Sequence, residues 1–278
     1  MTEAALFEAE RREMVEQQLR RRGISDARVL DAMFSVPRHE FVPPAFLGMA
    51  YDDRPVPIGA SETISQPYIV AAMTEAAQVE PGDKALEVGT GTGYQAAILA
   101  HLGAKVYTVE RNSRHVEAAR ARLARLGYTG IEVIWADGSK GYPAAAPYQV
   151  ILVTAAAPQV PPTLLDQLDE GGRMVIPVGN RFQQSLHLIL KQKGETLTQI
   201  LDACQFVPLV GEYGWREGTG RARSMLLFGQ ALTSHGLHRL LYPLCIAQVV
   251  VAEGPQLVIQ FVNQRHAGGD IQLNDVSV

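Results

Sequence analysis

Three glycines at alternate positions, in the run Leu86-Glu87-Val88-Gly89-Thr90-Gly91-Thr92-Gly93-Tyr94, restrict the folds open to this chain more than any other feature. The run follows a short apolar segment, ALEV (85–88), and precedes a helical pattern from Tyr94 to Leu102 that Gly103 stops. Glycines so spaced let the backbone turn sharply out of a strand and let a ligand lie on the main chain without Cβ interference. A strand, a ligand-binding loop and a helix in that order predict the first crossover unit of a parallel sheet.

The rhythm continues downstream. KVYTVE (105–110) reads as the second strand, and Val116, Ala119, Leu123 and Leu126 form the packing stripe of a helix ending at Gly127. IEVIWAD (131–137) and YQVILVTAA (148–156) supply strands three and four, Pro161-Pro162 opens a helix that Gly171-Gly172 ends, and RMVIPVG (173–179) is strand five. Residues 184–192 and 196–207, around Lys193-Gly194-Glu195, predict a hairpin, so the sheet ends antiparallel. The expected class is α/β: a doubly wound, mostly parallel, Rossmann-like sheet with a terminal antiparallel hairpin, N-terminal helices and a C-terminal extension.

Ahead of the glycine loop, residues 3–22 carry Phe7, Met14, Val15 and Leu19 on one helical stripe, with Gly23 at the expected C-cap. The interleaved Arg11, Arg12, Arg20, Arg21 and Arg22 read as a solvated helix face. Ser25 and Asp26 offer caps for a second helix ending before Pro37, Pro43-Pro44 opens a turn, and Asp52 to Gly59 is an ordered loop or edge segment. Pro67 suits the first turn of a helix running to about Gln78. Beyond Trp215 a Gly/Arg-rich stretch, REGTGRAR, marks a linker. Ser224 to Leu244 is weakly helical, the residues around Glu253-Gly254-Pro255 read as two strands, and the end from His266 onward reads as frayed.

The formal net charge of −4 argues against nucleic-acid binding by a basic face, and no apolar stretch approaches the length of a membrane helix. Two cysteines, Cys204 and Cys245, and a charged N-terminus point to a reducing cytoplasm rather than a disulfide framework or a secretion signal. His235 and His238 near Cys245 are too sparse a set for a metal site, so no metal is expected. Trp135 and Trp215 are read as packing residues.

Residue detail separates possible ligands for the glycine loop. A dinucleotide site wants G-x-G-x-x-G; here the third glycine comes one residue early, Tyr94 follows it, and Glu87 stands two residues before the first. A carboxylate there repels a pyrophosphate and suits a cation. S-adenosylmethionine fits: it has a sulfonium and an α-ammonium group, no phosphate, and two ribose hydroxyls that Glu110, at the end of strand two, can accept. Asp137, ending strand three and followed by Gly138, can take an adenine amino proton. The plain alternative is a strand-to-helix turn with solvated strand-end acids. Thr154 and the alanines after strand four are small and nearly apolar, which leaves room for a bulky substrate.

With TISQPYIVAAMTE (63–75), LEVGTGTGYQAAILA, VYTVER, ADGSKGYPAAAPYQVILVTAAAPQVP and DEGGRMVIPVG…FVPLVGEYGW, the chain resembles the protein-L-isoaspartate O-methyltransferase family over about residues 8–216. TISQPYIVA discriminates best, and VPRHEFVPPAF resembles the family's N-terminal region. The resemblance implies methyl transfer from S-adenosylmethionine, leaving S-adenosylhomocysteine, to the free α-carboxylate of isoaspartyl residues in damaged proteins or peptides. The ester then closes to a succinimide. It implies Ser65 as the active-site serine, where the residue alone would read equally well as a helix cap. It also implies Ile64, Gln66 and Tyr68 flanking cofactor and peptide, with Glu87, Gly89, Gly91, Thr92, Gly93, Glu110, Asp137 and Gly138 on the cofactor and FVPLVGEYGW over the same cleft.

Three segments are expected: 1–80, N-terminal helices and the substrate segment; 81–216, the cofactor-binding core; and 217–278, an extension that packs on the catalytic unit or on a second subunit through its apolar 246–262 stretch. The chain is then a monomer, or a homo-oligomer through that extension. Two other functions fit the same motifs: methylation of an ordinary aspartate in a dedicated peptide, and a non-catalytic cofactor-binding adaptor, against which the intact TISQP and glycine motifs argue.

Overall fold

The structure is a computed structural model that describes residues 3–216 and, beyond them, residues 246–250, 258–262 and 276–277. The chain divides into two compact units, Met1–Ala222 and Arg223–Val278.

The first unit opens with α1 (Glu3–Glu13), which runs on through a wider turn over Met14–Leu19 and a tight one over Arg20–Arg22 to Gly23, whose φ of +96° caps it. Asp26 caps α2 (Ala27–Ser35) by accepting from the Arg28 and Val29 amides. The arginine run is solvated as expected at Arg12, Arg20, Arg21 and Arg22, with Arg11 half-buried. The Arg11 guanidinium lies 5.6 Å from the Phe34 ring centroid, and that of Arg22 lies 3.4 Å from the Tyr68 ring while pairing with Asp53 at 2.6 Å. These two planar cations lie over aromatic faces while keeping contact with water.

The expected loop at 52–59 ends in a strand: β1 (Val56–Gly59) pairs antiparallel with β2 (Glu62–Ile64). Then come α3 (Pro67–Ala77), β3 (Lys84–Val88), α4 (Tyr94–His101), β4 (Lys105–Glu110), α5 (Ser113–Arg125), β5 (Ile131–Trp135), β6 (Tyr148–Val153), α6 (Pro162–Gln167), β7 (Leu168–Gly179), β8 (Gln184–Gln192) and β9 (Glu195–Cys204). Strands β3 to β9 form one seven-stranded sheet in the order β5-β4-β3-β6-β7-β8-β9. The first five are parallel, and β8 and β9 are antiparallel. Lys193 and Gly194, at φ +56° and +76°, make the two-residue hairpin turn whose twist matches its strands.

One expectation fails. Gly171-Gly172 does not end a helix: α6 stops at Gln167 and β7 begins at Leu168. Leu168, extended and buried, pairs with Tyr148, and the glycines fall in the irregularity before Arg173 pairs with Val150. Tertiary pairing overrides the local stop signal, and the glycines supply a bulge. Strands three and four also end earlier than read, at Trp135 and Val153.

Alternation along the central strands builds two cores. Ala85, Val106, Val150, Leu152 and Val175 face the layer holding α3, α4 and α5, while Leu86, Val109, Ile151, Val153 and Ile176 face the layer of α6. Parallel strands buried on both faces read as continuous apolar runs for this reason. Neighbours β4 and β6 lie on opposite sides of β3, so the chain reverses direction across the sheet there, and a crevice opens beyond the carboxyl ends of β3 and β6.

In the second unit, β10 (Ile246–Val250) and β11 (Val258–Val262) pair antiparallel as expected, and β12 (Val276–Ser277) adds to β11, within the stretch read as frayed. The helical reading of 224–244, the candidate metal residues and the packing of the extension lie outside the described residues. Among the described residues, no helix is long and apolar enough to cross a membrane, and no cluster suited to a metal ion occurs.

Candidate functional site

The crevice at the reversal point is lined by the glycine loop, by the strand ends at Glu87, Glu110 and Gly138, by Ile64 and Ser65, and by the stretch from Val207 to Val210. The loop is shaped for close approach. Gly89 sits at φ +100°, and a Cβ there would stand 2.5 Å from Thr154 Oγ1. That hydroxyl donates toward the carbonyls of Val88 and Gly89 at 3.0 and 2.8 Å, fastening the end of β6 to the loop. Thr154, noted in the sequence only as small, is therefore the loop's brace. The Gly91 amide donates to Glu110 Oε2 at 3.1 Å, and the Asn112 amide to Oε1 at 2.8 Å. Each Glu110 oxygen keeps a further lone pair, so the carboxylate can still accept two hydroxyls.

Glu87 is fully buried. Thr108 Oγ1 donates to its Oε2 at 2.5 Å, whereas Oε1 has no hydrogen-bond partner among the described residues. Burial pushes its carboxyl up to about 8, the Glu110 charge adding to the effect and the Thr108 bond opposing it. Glu62, on β2, also lines the crevice and lies 3.0 Å from His115 Nε2. Burial and the Glu110 charge raise the Glu62 pKa against the pull of His115. Three carboxyl groups thus share one crevice wall, an orphaned acceptor among them: a cradle for a cationic ligand bearing hydroxyls. Glu62 was missed in the sequence because a short surface hairpin carries no signal of where its side chains face.

Ser65 is half-buried in the crevice wall just before α3. It does not cap that helix. The cap position is Gln66, with no side-chain cap bond, and the Ser65 hydroxyl makes no intramolecular hydrogen bond among the described residues. The capping alternative is removed, and the hydroxyl is left available to a ligand.

Of the expected site residues, Ile64, Ser65, Glu87, Gly89, Gly91, Thr92, Glu110 and Gly138 meet in the crevice. Gln66, Tyr68, Gly93 and Asp137 stand outside its walls. Tyr68 is covered by Arg22, and Gly93, at φ +88°, begins α4 with its Cα 's open side against Leu123. Asp137 lines an adjoining hollow with Arg111 and Val210, and it also holds a loop. Its Oδ1 accepts from the Ser139 amide and hydroxyl at 2.9 and 2.7 Å, and its Oδ2 accepts from the Glu212 amide at 2.8 Å. With Ser139 Oγ accepting from the Tyr213 amide at 3.0 Å, it pins the loop after β9 beside the crevice. Trp215 supports the same loop through its indole N–H to the Ala156 carbonyl at 3.1 Å. Trp135 is not a packing residue: it is 66 % exposed, its indole N–H donating to the Arg111 carbonyl at 3.0 Å. It sits at the last position of β5, the sheet's edge strand, where no layer covers it.

Comparison with known proteins adds findings of three kinds: a family model, sequence relatives and solved structures. A family model described as protein-L-isoaspartate(D-aspartate) O-methyltransferase matches residues 9–214. Relatives named protein-L-isoaspartate O-methyltransferase are 55 % identical over 207 residues in Methanoculleus marisnigri and 54 % over 209 residues in Koribacter versatilis, each covering 74–75 % of this chain and 94 % of the relative. A solved structure of that name matches with a TM-score of 0.67 at 30 % identity, over 73 % of this chain and 67 % of that one. A Plasmodium falciparum structure whose title assigns it provisionally to the same group, in complex with S-adenosyl-L-homocysteine, matches with a TM-score of 0.62 at 27 % identity, over 70 % of this chain and 95 % of that one.

Proposed function

The chain belongs to the protein-L-isoaspartate(D-aspartate) O-methyltransferase family, and from that premise we propose that this crevice transfers a methyl group from S-adenosylmethionine to the free α-carboxylate of L-isoaspartyl residues in damaged proteins and peptides. The observation that carries the reading is the crevice itself: an acid-walled glycine cradle with a serine on its rim whose hydroxyl is bonded to none of the described residues.

The residues present fit the cofactor. Glu110 has acceptor capacity for two ribose hydroxyls, Glu87 offers a buried carboxyl, protonated in the free protein, that a cationic neighbour would ionise, and Gly89 and Gly91 leave main chain open to contact. Ile64, Thr92 and Gly138 complete the walls. Gln66, Tyr68, Gly93 and Asp137 belong to the same cofactor set, Asp137 also holding the loop at 211–213 and lining the adjoining hollow with Arg111 and Val210. When bound, S-adenosylmethionine supplies an electrophilic methyl group on a sulfonium sulfur.

The chain's own task is modest in proton chemistry. An α-carboxylate is ionised at pH 7, so no general base is required. Ser65 orients that carboxylate by donating its hydroxyl proton, which stays on the serine. The loop from Val207 to Val210 and the pinned turn after it keep water from the crevice, so the rate comes from proximity and alignment. The small residues Thr154 and Ala155 leave the rim open to an extended peptide.

We place the protein in a reducing cytoplasm, consistent with the free Cys204 thiol, and assign residues 217–278 to packing on the catalytic unit or on a second subunit. The decisive experiment is methyl transfer from labelled cofactor to an isoaspartyl peptide beside its aspartyl twin. Transfer to the isoaspartyl form is expected. Activity on the aspartyl form alone would replace repair by maturation of a dedicated peptide, and no transfer to either would leave a binding protein.

A further inference from the structure

We infer that Arg38 is a positioning residue for this reaction: its buried guanidinium fixes the Ser65 main chain and sets behind the carboxylate site a positive charge that the substrate's α-carboxylate balances. The inference rests on the functional reading above.

Arg38 is wholly buried. Its Nε donates to the Ala50 carbonyl at 2.7 Å and its Nη2 to the Ser65 carbonyl at 2.8 Å. Its guanidinium lies 4.9 Å from the ring centroid of Tyr94, the residue that follows the last glycine of the loop. One side chain thus ties together the turn before β1, the serine segment and the start of α4. The crevice lining includes both Ser65 and Tyr94.

The charge is the unusual part. No carboxylate stands within ion-pair distance of Arg38 among the described residues, and Nη1 has no hydrogen-bond partner. Asp53, the acid whose charge reaches it, is itself paired with Arg22 at 2.6 Å. Arginine stays protonated even where burial lowers its pKa, as it does here. A buried cation held by two carbonyls and the Tyr94 side chain, with Nη1 unbonded, is neither neutralised nor fully satisfied, and such a charge is costly to keep. A glutamine or a methionine would serve packing alone at lower cost. The reaction supplies a use for the charge: the substrate enters as an anion and leaves as a neutral ester. A fixed cation behind Ser65 favours the first over the second.

The test compares an isoaspartyl peptide with its twin bearing a neutral α-amide, in wild type, Arg38→Met and Arg38→Lys. KM and kcat are measured for the first peptide, inhibition constants for the second, and cofactor affinity by calorimetry. Wild type is expected to bind the carboxylate about tenfold or more tightly than the amide, Arg38→Met to lose about tenfold of that preference, and Arg38→Lys to retain most of it. Cofactor affinity should stay within about threefold of wild type. A clamp of purely structural value would shift both peptides alike, so an unchanged preference in Arg38→Met overturns the inference. Should that variant not fold, Arg38→Gln takes its place with the same two outcomes, and a wild type with no preference for the anion overturns the inference outright. Wild type without turnover on the isoaspartyl peptide would instead refute the functional reading.

Discussion

Two side chains in the crevice carry opposite kinds of evidence. Ser65 is informative for what it lacks, since its hydroxyl neither caps α3 nor bonds to any other described residue. Ser65→Ala should therefore leave the fold and the cofactor affinity nearly unchanged while lowering turnover on an isoaspartyl peptide by roughly tenfold to hundredfold, the usual effect of removing one oriented donor. Radiolabel transfer and calorimetry on the same preparation check it, and unchanged turnover would remove Ser65 from the chemistry. Glu87 is informative for its burial. Its carboxyl is held at about 8 against an ordinary 4.5. An acid whose folded pKa is raised binds a proton in the folded state that the unfolded chain has released. Stability from this group is complete below about 4.5 and is lost as pH rises through about 8. Glu87→Gln, neutral throughout, should therefore raise the unfolding temperature of the cofactor-free protein more at pH 8.5 than at pH 5. A difference that is flat in pH would show that the carboxyl is not so perturbed.

Among the elements, the turn from β3 into α4 depends on its backbone. Gly89→Ala must place a methyl group against Thr154 Oγ1 at a φ of +100°. Strain of that kind is worth about 1–3 kcal/mol, so cofactor affinity should fall roughly tenfold to hundredfold. Calorimetric titration of the variant measures it, and wild-type affinity would mean that the loop relaxes freely. This loop, the parallel strands and the closing hairpin were legible because glycine spacing, continuous apolar runs and a Lys-Gly turn are local signals. The boundary of α6 was not. Gly171-Gly172 carries a helix-stop signature, yet the pairing of Leu168 with Tyr148 draws the chain into β7 earlier and leaves the glycines in a bulge. Trp135 was misjudged for a related reason: an indole in an apolar strand reads as core until the strand proves to be the sheet's edge.

At the scale of the whole molecule, every crevice residue lies in the unit Met1–Ala222, and the curated relatives match it over nearly their whole length while leaving about a quarter of this chain unmatched. A chain truncated after Arg216 should therefore keep methyl transfer, and on our reading of the extension it should lose thermal stability or change its assembly state. Sedimentation and thermal unfolding beside the full chain test this; unchanged values in both would deny the extension a packing role. The sequence by itself determined the α/β class and the glycine turn between β3 and α4, because each is written in neighbouring residues whose backbone needs are local, whereas the serine segment stood out only through the family resemblance. Only the tertiary structure decided what Asp137 holds, that Glu62 joins Glu87 and Glu110, that Ser65 is no cap, and that a buried Arg38 grips it. Those facts join residues tens of positions apart, and the sheet's topology, not chain proximity, brings them together.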